Sequence, residues 1–188
     1  PNNSWPIYKG ESFDIWNCDT GKYYAYIISE EAVFELNRRR QTNNSKSAFS
    51  EMDRSWKSSS VTLPCNDPRI AFRNIARATD TRTTIASLIP PNVAISNAAP
   101  YHLRIRGNEK DEAYILGILC SIPFDWYSRR YVEINMNFFI INPFPIPRPE
   151  NNDSYKTKCI ELSGRLAAHD ERLADWAKTV GVECGPIP

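Results

Sequence analysis

Glycine is scarce in this chain, seven in 188 residues, and no two stand as Gly-x-Gly. That excludes the glycine-rich loops that hold nucleotide phosphates or S-adenosylmethionine, and no P-loop or Gly-x-Ser-x-Gly elbow is present. Histidine is scarcer still. His102 and His169 are the two copies, and no cysteine is spaced to join either in a zinc site, so no metal is expected. The five cysteines (Cys18, Cys65, Cys120, Cys159, Cys184) are odd in number and lack a Cys-x-x-Cys. They read as small apolar thiols of a cytoplasmic protein rather than a disulfide framework. No apolar run has the length of a membrane span and no signal peptide opens the chain, so no membrane partner is expected. No nuclease-like set of Asp, Glu and Lys stands out, and His169-Asp170-Glu171 reads as surface charge on a helix. The chain is therefore expected to be non-catalytic by itself.

What is present is enough for a core: 41% apolar and 12% aromatic residues. The net charge is only +1, but its distribution is uneven. Residues 61–108 hold six arginines and two acids, and residues 31–60 hold six basic and four acidic residues. Positive charge thus gathers in the middle of the chain.

The centre of that region is Arg69 to Ser96, continuing to Arg106. Alternating apolar and polar residues, many β-branched, are interrupted by Thr/Asp and Pro-Pro-Asn clusters, the pattern of an antiparallel meander. An extended Arg69–Arg77 segment puts Arg69, Arg73 and Arg77 on one face, the outer pair about 26 Å apart at roughly 3.3 Å per residue. A core has no use for three unpaired arginines, whereas a polyanion does. The competing reading is a solvated face, or pairing with carboxylates such as Glu30, Glu31 or Glu35.

Around this centre the order is as follows. Trp5–Gly10 is an aromatic opening segment, Phe13–Asn17 a short strand and Tyr23–Ile28 another. Glu30–Arg40 is a helix with Ser29 as N-cap and Arg38-Arg39-Arg40 at its C-terminus. The polar stretch beyond it, to residue 66, is a long loop carrying Lys46, Arg54 and Lys57. His102–Arg106 is a strand with Arg104 and Arg106 on one face. Asn108 caps an apolar helix with Asp111 at the third position, and Ser121 caps a second helical piece over Phe124–Val132. Asn135–Ile141 is a strand, Asn142–Pro149 a proline strap, and Asn151–Ser154 caps a long helix over Tyr155–Lys178. The fold class is α+β: an antiparallel or mixed twisted sheet with packed helices. A core is expected over 1–150, with a C-terminal helical arm over 151–188, as a fragment of a larger protein.

The run Pro-Arg-Ile-Ala-Phe-Arg-Asn-Ile-Ala-Arg-Ala-Thr-Asp-Thr-Arg-Thr-Thr-Ile-Ala-Ser-Leu-Ile-Pro resembles the central signature of target recognition domains in Eco57I-like, type IIG restriction–modification enzymes and their adenine-methyltransferase relatives. Trp5–Gly10 with Phe13-Asp14 is similar to the opening segment of that group. Ile115–Tyr131, Asn137-Phe138-Phe139-Ile140 and Pro145-Ile146-Pro147 are similar to its helix, strand and strap, and Leu162–Trp176 to its trailing helical region. Residues 30–66 depart from the pattern. Asn142-Pro143-Phe144-Pro145 has the wrong order for the Asn-Pro-Pro-Phe motif that grips a target adenine.

The resemblance implies a type I specificity-subunit-like domain that docks double-stranded DNA against a methyltransferase domain of the same polypeptide. S-adenosylmethionine would belong to that other domain. On this reading Arg69, Arg73, Arg77, Arg82, Arg104 and Arg106 line the DNA, with some on phosphates and some on guanine edges. Asn74 reads an adenine edge, Thr79, Thr81 and Thr83 bond to phosphates, and Lys46, Arg54 and Lys57 reach a groove. The alternative is a protein-docking module that uses the strap and the last helix.

Overall fold

The structure is a computed structural model that describes residues 3–42 and 47–186. It is α+β, with two small sheets and seven α-helices among the described residues. β1 (Ser4–Tyr8) lies between β2 (Ala25–Ile28), antiparallel to it, and the short β5 (Ala94–Ile95), parallel to it. The second sheet pairs β3 (Arg69–Phe72) with β4 (Ala86–Ile89), in the register Arg69 to Ile89 and Phe72 to Ala86. The backbone beyond this pair is also used. Residues 98–102 run along the free edge of β3 through Phe72 N to Pro100 O and His102 N to Ile70 O. Residues 134–136 take over at Asn74 and Ala76. Both faces of β3 and β4 are covered, and all eight residues are buried.

The expected arginine strand therefore ends at Phe72, five residues short of Arg77. Phe13–Asn17 makes only an isolated bridge from Asp14 to Asn17, and Tyr101 a similar bridge to Ala71, so neither Phe13–Asn17 nor His102–Arg106 is a strand. Asn135–Ile141 is not a strand either. Asn137 accepts from the backbone N–H of Ile140 and opens a helical turn, α5 (Phe138–Ile141).

The helices begin where their caps stand. α1 (Ser29–Thr42) starts at Ser29 itself and ends with Arg39 and Arg40 in its last turn. The short α2 (Arg54–Ser58) interrupts the polar stretch. α3 (Glu109–Leu119) is opened by a full Asn108–Asp111 capping box, and α4 (Ile122–Ser128) by Ser121. Asp153 caps α6 (Ser154–Ala167). The long C-terminal helix is broken. The backbone leaves helical geometry at Ala168 and Asp170 caps a fresh turn, from which α7 (Ala174–Val180) follows. Ala167, Leu173, Trp176 and Val180 of these segments share one core with Ile70, Phe72, Leu88, Leu116 and Phe124.

α3 is the axis of that core. Gly117 lets α6 approach: a Cβ there would collide with Ser163 Oγ and lie 2.9 Å from Cys159 Sγ. Gly117→Val is expected to lower stability by about 1–3 kcal/mol through overpacking, measured by urea unfolding. Glu112, on the same helix, is buried, accepts from Trp176 Nε1 at 3.0 Å and lies 3.4 Å from Arg104. Burial pushes its carboxyl up to about 7 from the usual 4.5, against the pull of Trp176 and Arg104. Folding therefore favours the protonated form. The contribution is complete below pH 4.5 and is lost as pH rises through 7. Glu112→Gln is expected to flatten this dependence in unfolding curves taken at pH 5 and pH 8.

Candidate nucleic-acid interface

The chain leaves β3 at Phe72 and turns back into β4 at Ala86, and the return, residues 73–85, is the middle of the signature run. Its far end is a tight turn. Asp80 N donates to Arg77 O at 3.1 Å, and the Asp80 carboxylate accepts from Arg77 N at 3.0 Å. Five consecutive residues, Arg77, Ala78, Thr79, Asp80 and Thr81, are exposed.

Immediately after the turn the chain is locked. Asp125 on α4 is 5% exposed, and one of its oxygens accepts from both Thr83 N (2.7 Å) and Thr84 N (2.8 Å). Arg129, one turn further along, holds the other oxygen at 3.0 Å and donates to Ala78 O and Thr81 O. Arg82 closes the arrangement, with its Nε 3.5 Å from Asp125 and its terminal nitrogen on Cys120 O. Thr84 Oγ1 donates to Ser128 Oγ at 2.8 Å. One carboxylate thus accepts two backbone N–H groups and a hydrogen bond from Arg129, with the Arg82 guanidinium as a second ion-pair partner, which is how a buried charge is made tolerable. The result is a fixed tip with Arg77 at its root. Among the described residues no carboxylate forms an ion pair with Arg77.

The remaining predicted residues do not form a row. Arg69 is 5% exposed. Its guanidinium donates to Val93 O at 2.7 Å and to Pro64 O and Asp67 O, and it lies over the Tyr101 ring. It cannot face DNA. Arg73 donates to Phe13 O at 2.7 Å and stands 3.3 Å from Asp14. Its partner is Asp14 rather than Glu30, Glu31 or Glu35, and Glu35 pairs instead with Arg38 and Arg39. Asn74 is half-buried and joins the edge of the sheet through its backbone. Thr83 is fully buried and its hydroxyl donates to Arg77 O, so it supports the tip and cannot reach a phosphate. Arg82 is committed to Asp125.

Arg104 pairs with Glu109 at 2.8 Å and with Glu112. Arg104 and the exposed Arg106 leave the sheet at the Arg69 end, whereas Arg77 leaves at the other. Arg54 is exposed and Lys57 half-buried on α2, and Lys46 lies outside the described residues. Of the predicted set, the structure brings Arg77, Thr79 and Thr81 together at one exposed place.

Several residues beside the tip were missed by the sequence reading. The Asp125–Arg129 spacing of four on a helix was the available signal, one turn of α4. Beyond the clamp, Arg130 is exposed and its guanidinium lies 4.3 Å from the Trp126 ring centroid, a cation on an aromatic face. Ile75 and Ile134, brought together by the bond from Ala76 N to Ile134 O, are 64% and 60% exposed.

No group of three or more His, Cys, Asp or Glu residues is arranged to hold a metal among the described residues. Cys18 approaches His169 Nε2 at 3.9 Å and Asp170 at 3.6 Å, an arrangement superficially like a nucleophile and its base. Burial pushes its thiol up to about 12, so it is a poor nucleophile at neutral pH. No helix among the described residues is long and apolar enough to cross a membrane. Comparison with family models, curated proteins and solved structures gives no match.

Removing the clamp should be costly. Asp125→Ala leaves two buried N–H groups and Arg129 Nε without their acceptor and takes the counter-charge from Arg82. It is expected to lower stability by roughly 3–5 kcal/mol, read by chemical denaturation.

Proposed function

We propose that the chain is the DNA-recognition part of an adenine-N6 methyltransferase of restriction–modification type, with a type I specificity-subunit-like fold. It is non-catalytic itself. The cofactor S-adenosylmethionine and the methyl-transfer chemistry belong to a methyltransferase domain of the same polypeptide. The resemblance of the signature run and of the segments flanking it supports this reading.

The observation that carries it is the clamped tip. The most distinctive residues of the signature split into two sets: Arg82, Thr83 and Thr84 are spent on holding the turn, and Arg77, Thr79 and Thr81 are presented by it. A turn fixed by a buried carboxylate suits an element that must meet a duplex without reordering, because binding then costs little conformational entropy. Arg77 supplies a positive charge with no carboxylate ion-paired to it among the described residues, the two threonines supply hydroxyls, and Arg130, next in sequence to the Arg129 that bonds the tip, is a further exposed cation held on Trp126. The DNA contact is thus smaller than a row of six arginines and sits at one end of the second sheet.

A second reading is favoured by the apolar residues near the tip. Ile134, bonded through its carbonyl to Ala76 N, is 60% exposed and Trp126 58%; Phe139, further along the chain in α5, is 88% exposed. Such a surface suits docking against another domain, and both roles fit on one domain that sits between DNA and an enzyme.

Arg77→Ala is expected to weaken duplex binding of the full-length protein. If Arg77 meets a phosphate, the loss is similar for all sequences and the slope of log K against log salt falls by about one. If it reads a guanine, one base position relaxes at a cost of roughly 1–3 kcal/mol. Fluorescence anisotropy over a salt series separates the two. Unchanged affinity in Arg77→Ala, together with loss of methyltransferase-domain docking in Phe139→Ser, would replace DNA recognition by the docking reading.

A further inference from the structure

Two arginines of this chain are buried against the same cavity, and among the described residues no carboxylate is ion-paired with either. Arg40, in the last turn of α1, is 2% exposed, and Arg69, at the start of β3, is 5% exposed. Both line a partly enclosed cavity of about 130 Å³, together with Leu36, Leu63, Val93 and Tyr101. Arg40 donates to Thr62 O, Thr62 Oγ1, Asn37 Oδ1 and Ser59 O, and its guanidinium lies 4.9 Å from the Trp56 ring centroid. Arg69 donates to three carbonyls and lies 5.2 Å from the Tyr101 ring centroid. The Nε–H of each is buried without an acceptor.

Carbonyl dipoles and aromatic faces solvate these two charges but do not neutralise them. Among the described residues neither takes part in an ion pair. Glu35 is occupied by Arg38 and Arg39, and Asp67 offers Arg69 its backbone oxygen. Cys65 and Tyr101, which also line the cavity, are pushed towards their neutral forms by burial. Arg39 also lines the cavity, with 71% of its side chain exposed and its guanidinium paired to Glu35. Two buried cations against one largely apolar cavity are an unfavourable arrangement until an anion joins them.

We propose that this cavity binds a phosphate-sized oxyanion, held by the field of Arg40 and Arg69 and reached past Arg39. The site is separate from the clamped tip, and the proposal does not depend on the DNA reading. A phosphate group of this kind is available either as the free ion or on a nucleotide.

The test uses the whole chain. Inorganic phosphate is titrated at constant ionic strength against sodium chloride, with thermal unfolding and Trp56-sensitive fluorescence as readouts. Phosphate is expected to raise the melting temperature progressively while chloride does not, and its ³¹P resonance should broaden with added protein. Arg39→Ala, an exposed change compatible with folding, is expected to weaken phosphate binding by roughly two- to fivefold, the range of an exposed ion pair. Arg69→Met, where it folds, should abolish it. Adenosine monophosphate binding at least tenfold tighter than phosphate assigns the site to a nucleotide, and equal affinity assigns it to the free ion. Coincident phosphate and chloride curves with an unbroadened ³¹P line would overturn the proposal. So would phosphate binding that Arg39→Ala leaves unchanged.

Discussion

A single buried carboxylate, that of Asp125, determines what the signature run can do. It accepts two backbone N–H groups from Thr83 and Thr84 and meets the guanidiniums of Arg82 and Arg129. Those contacts tie the return from β3 into β4 to α4. Without them the loop would keep its polar residues and lose its shape. With them, five exposed residues project from a frame that includes Phe124, Leu116 and Phe72 in one core. Such a carboxylate is useful because its removal leaves several groups unpaired at once.

The cations of this chain divide by the partners they find. Arg69 and Arg40 are internal, Arg73 and Arg104 are paired with Asp14 and with Glu109 and Glu112, and Arg82 and Arg129 share Asp125. A charge excess along a stretch of chain therefore says little about a surface. The same residue type serves as a carbonyl-binding strut at 69, a clamp at 82 and 129, and an exposed cation at 77. Arg40 and Arg69 are the buried members of this division, and among the described residues no carboxylate is ion-paired with either.

Local signals were legible in the sequence, and tertiary ones were not. The Asn108–Asp111 box and the Ser121 cap stand where spacing put them, and the cap of α6, Asp153, falls within the expected Asn151–Ser154 segment. The α+β class was readable from the mixture of periods. The arginine row was not, because alternation from 69 to 77 assumed a strand that ends at Phe72, and because burial of Arg69 depends on Pro64, Asp67 and Val93 folding around it. Asn137-Phe138-Phe139-Ile140-Ile141 was ambiguous in the usual way for a short apolar run. The side chain of Asn137, capping Ile140, decided for a helix. The break at Ala168 separates α6 from α7 and lets both line the core, a choice made by packing against α3 rather than by helix propensity.

Hydrogen–deuterium exchange of the full-length protein, with and without duplex DNA, bears most directly on the clamped tip as the DNA contact. The account predicts slow exchange at Thr83 and Thr84 in the free protein, and new protection on binding confined mainly to residues 77–81 and the neighbouring end of α4. Fast exchange at Thr83 and Thr84 without DNA, or protection appearing elsewhere while 77–81 stays unchanged, would contradict it.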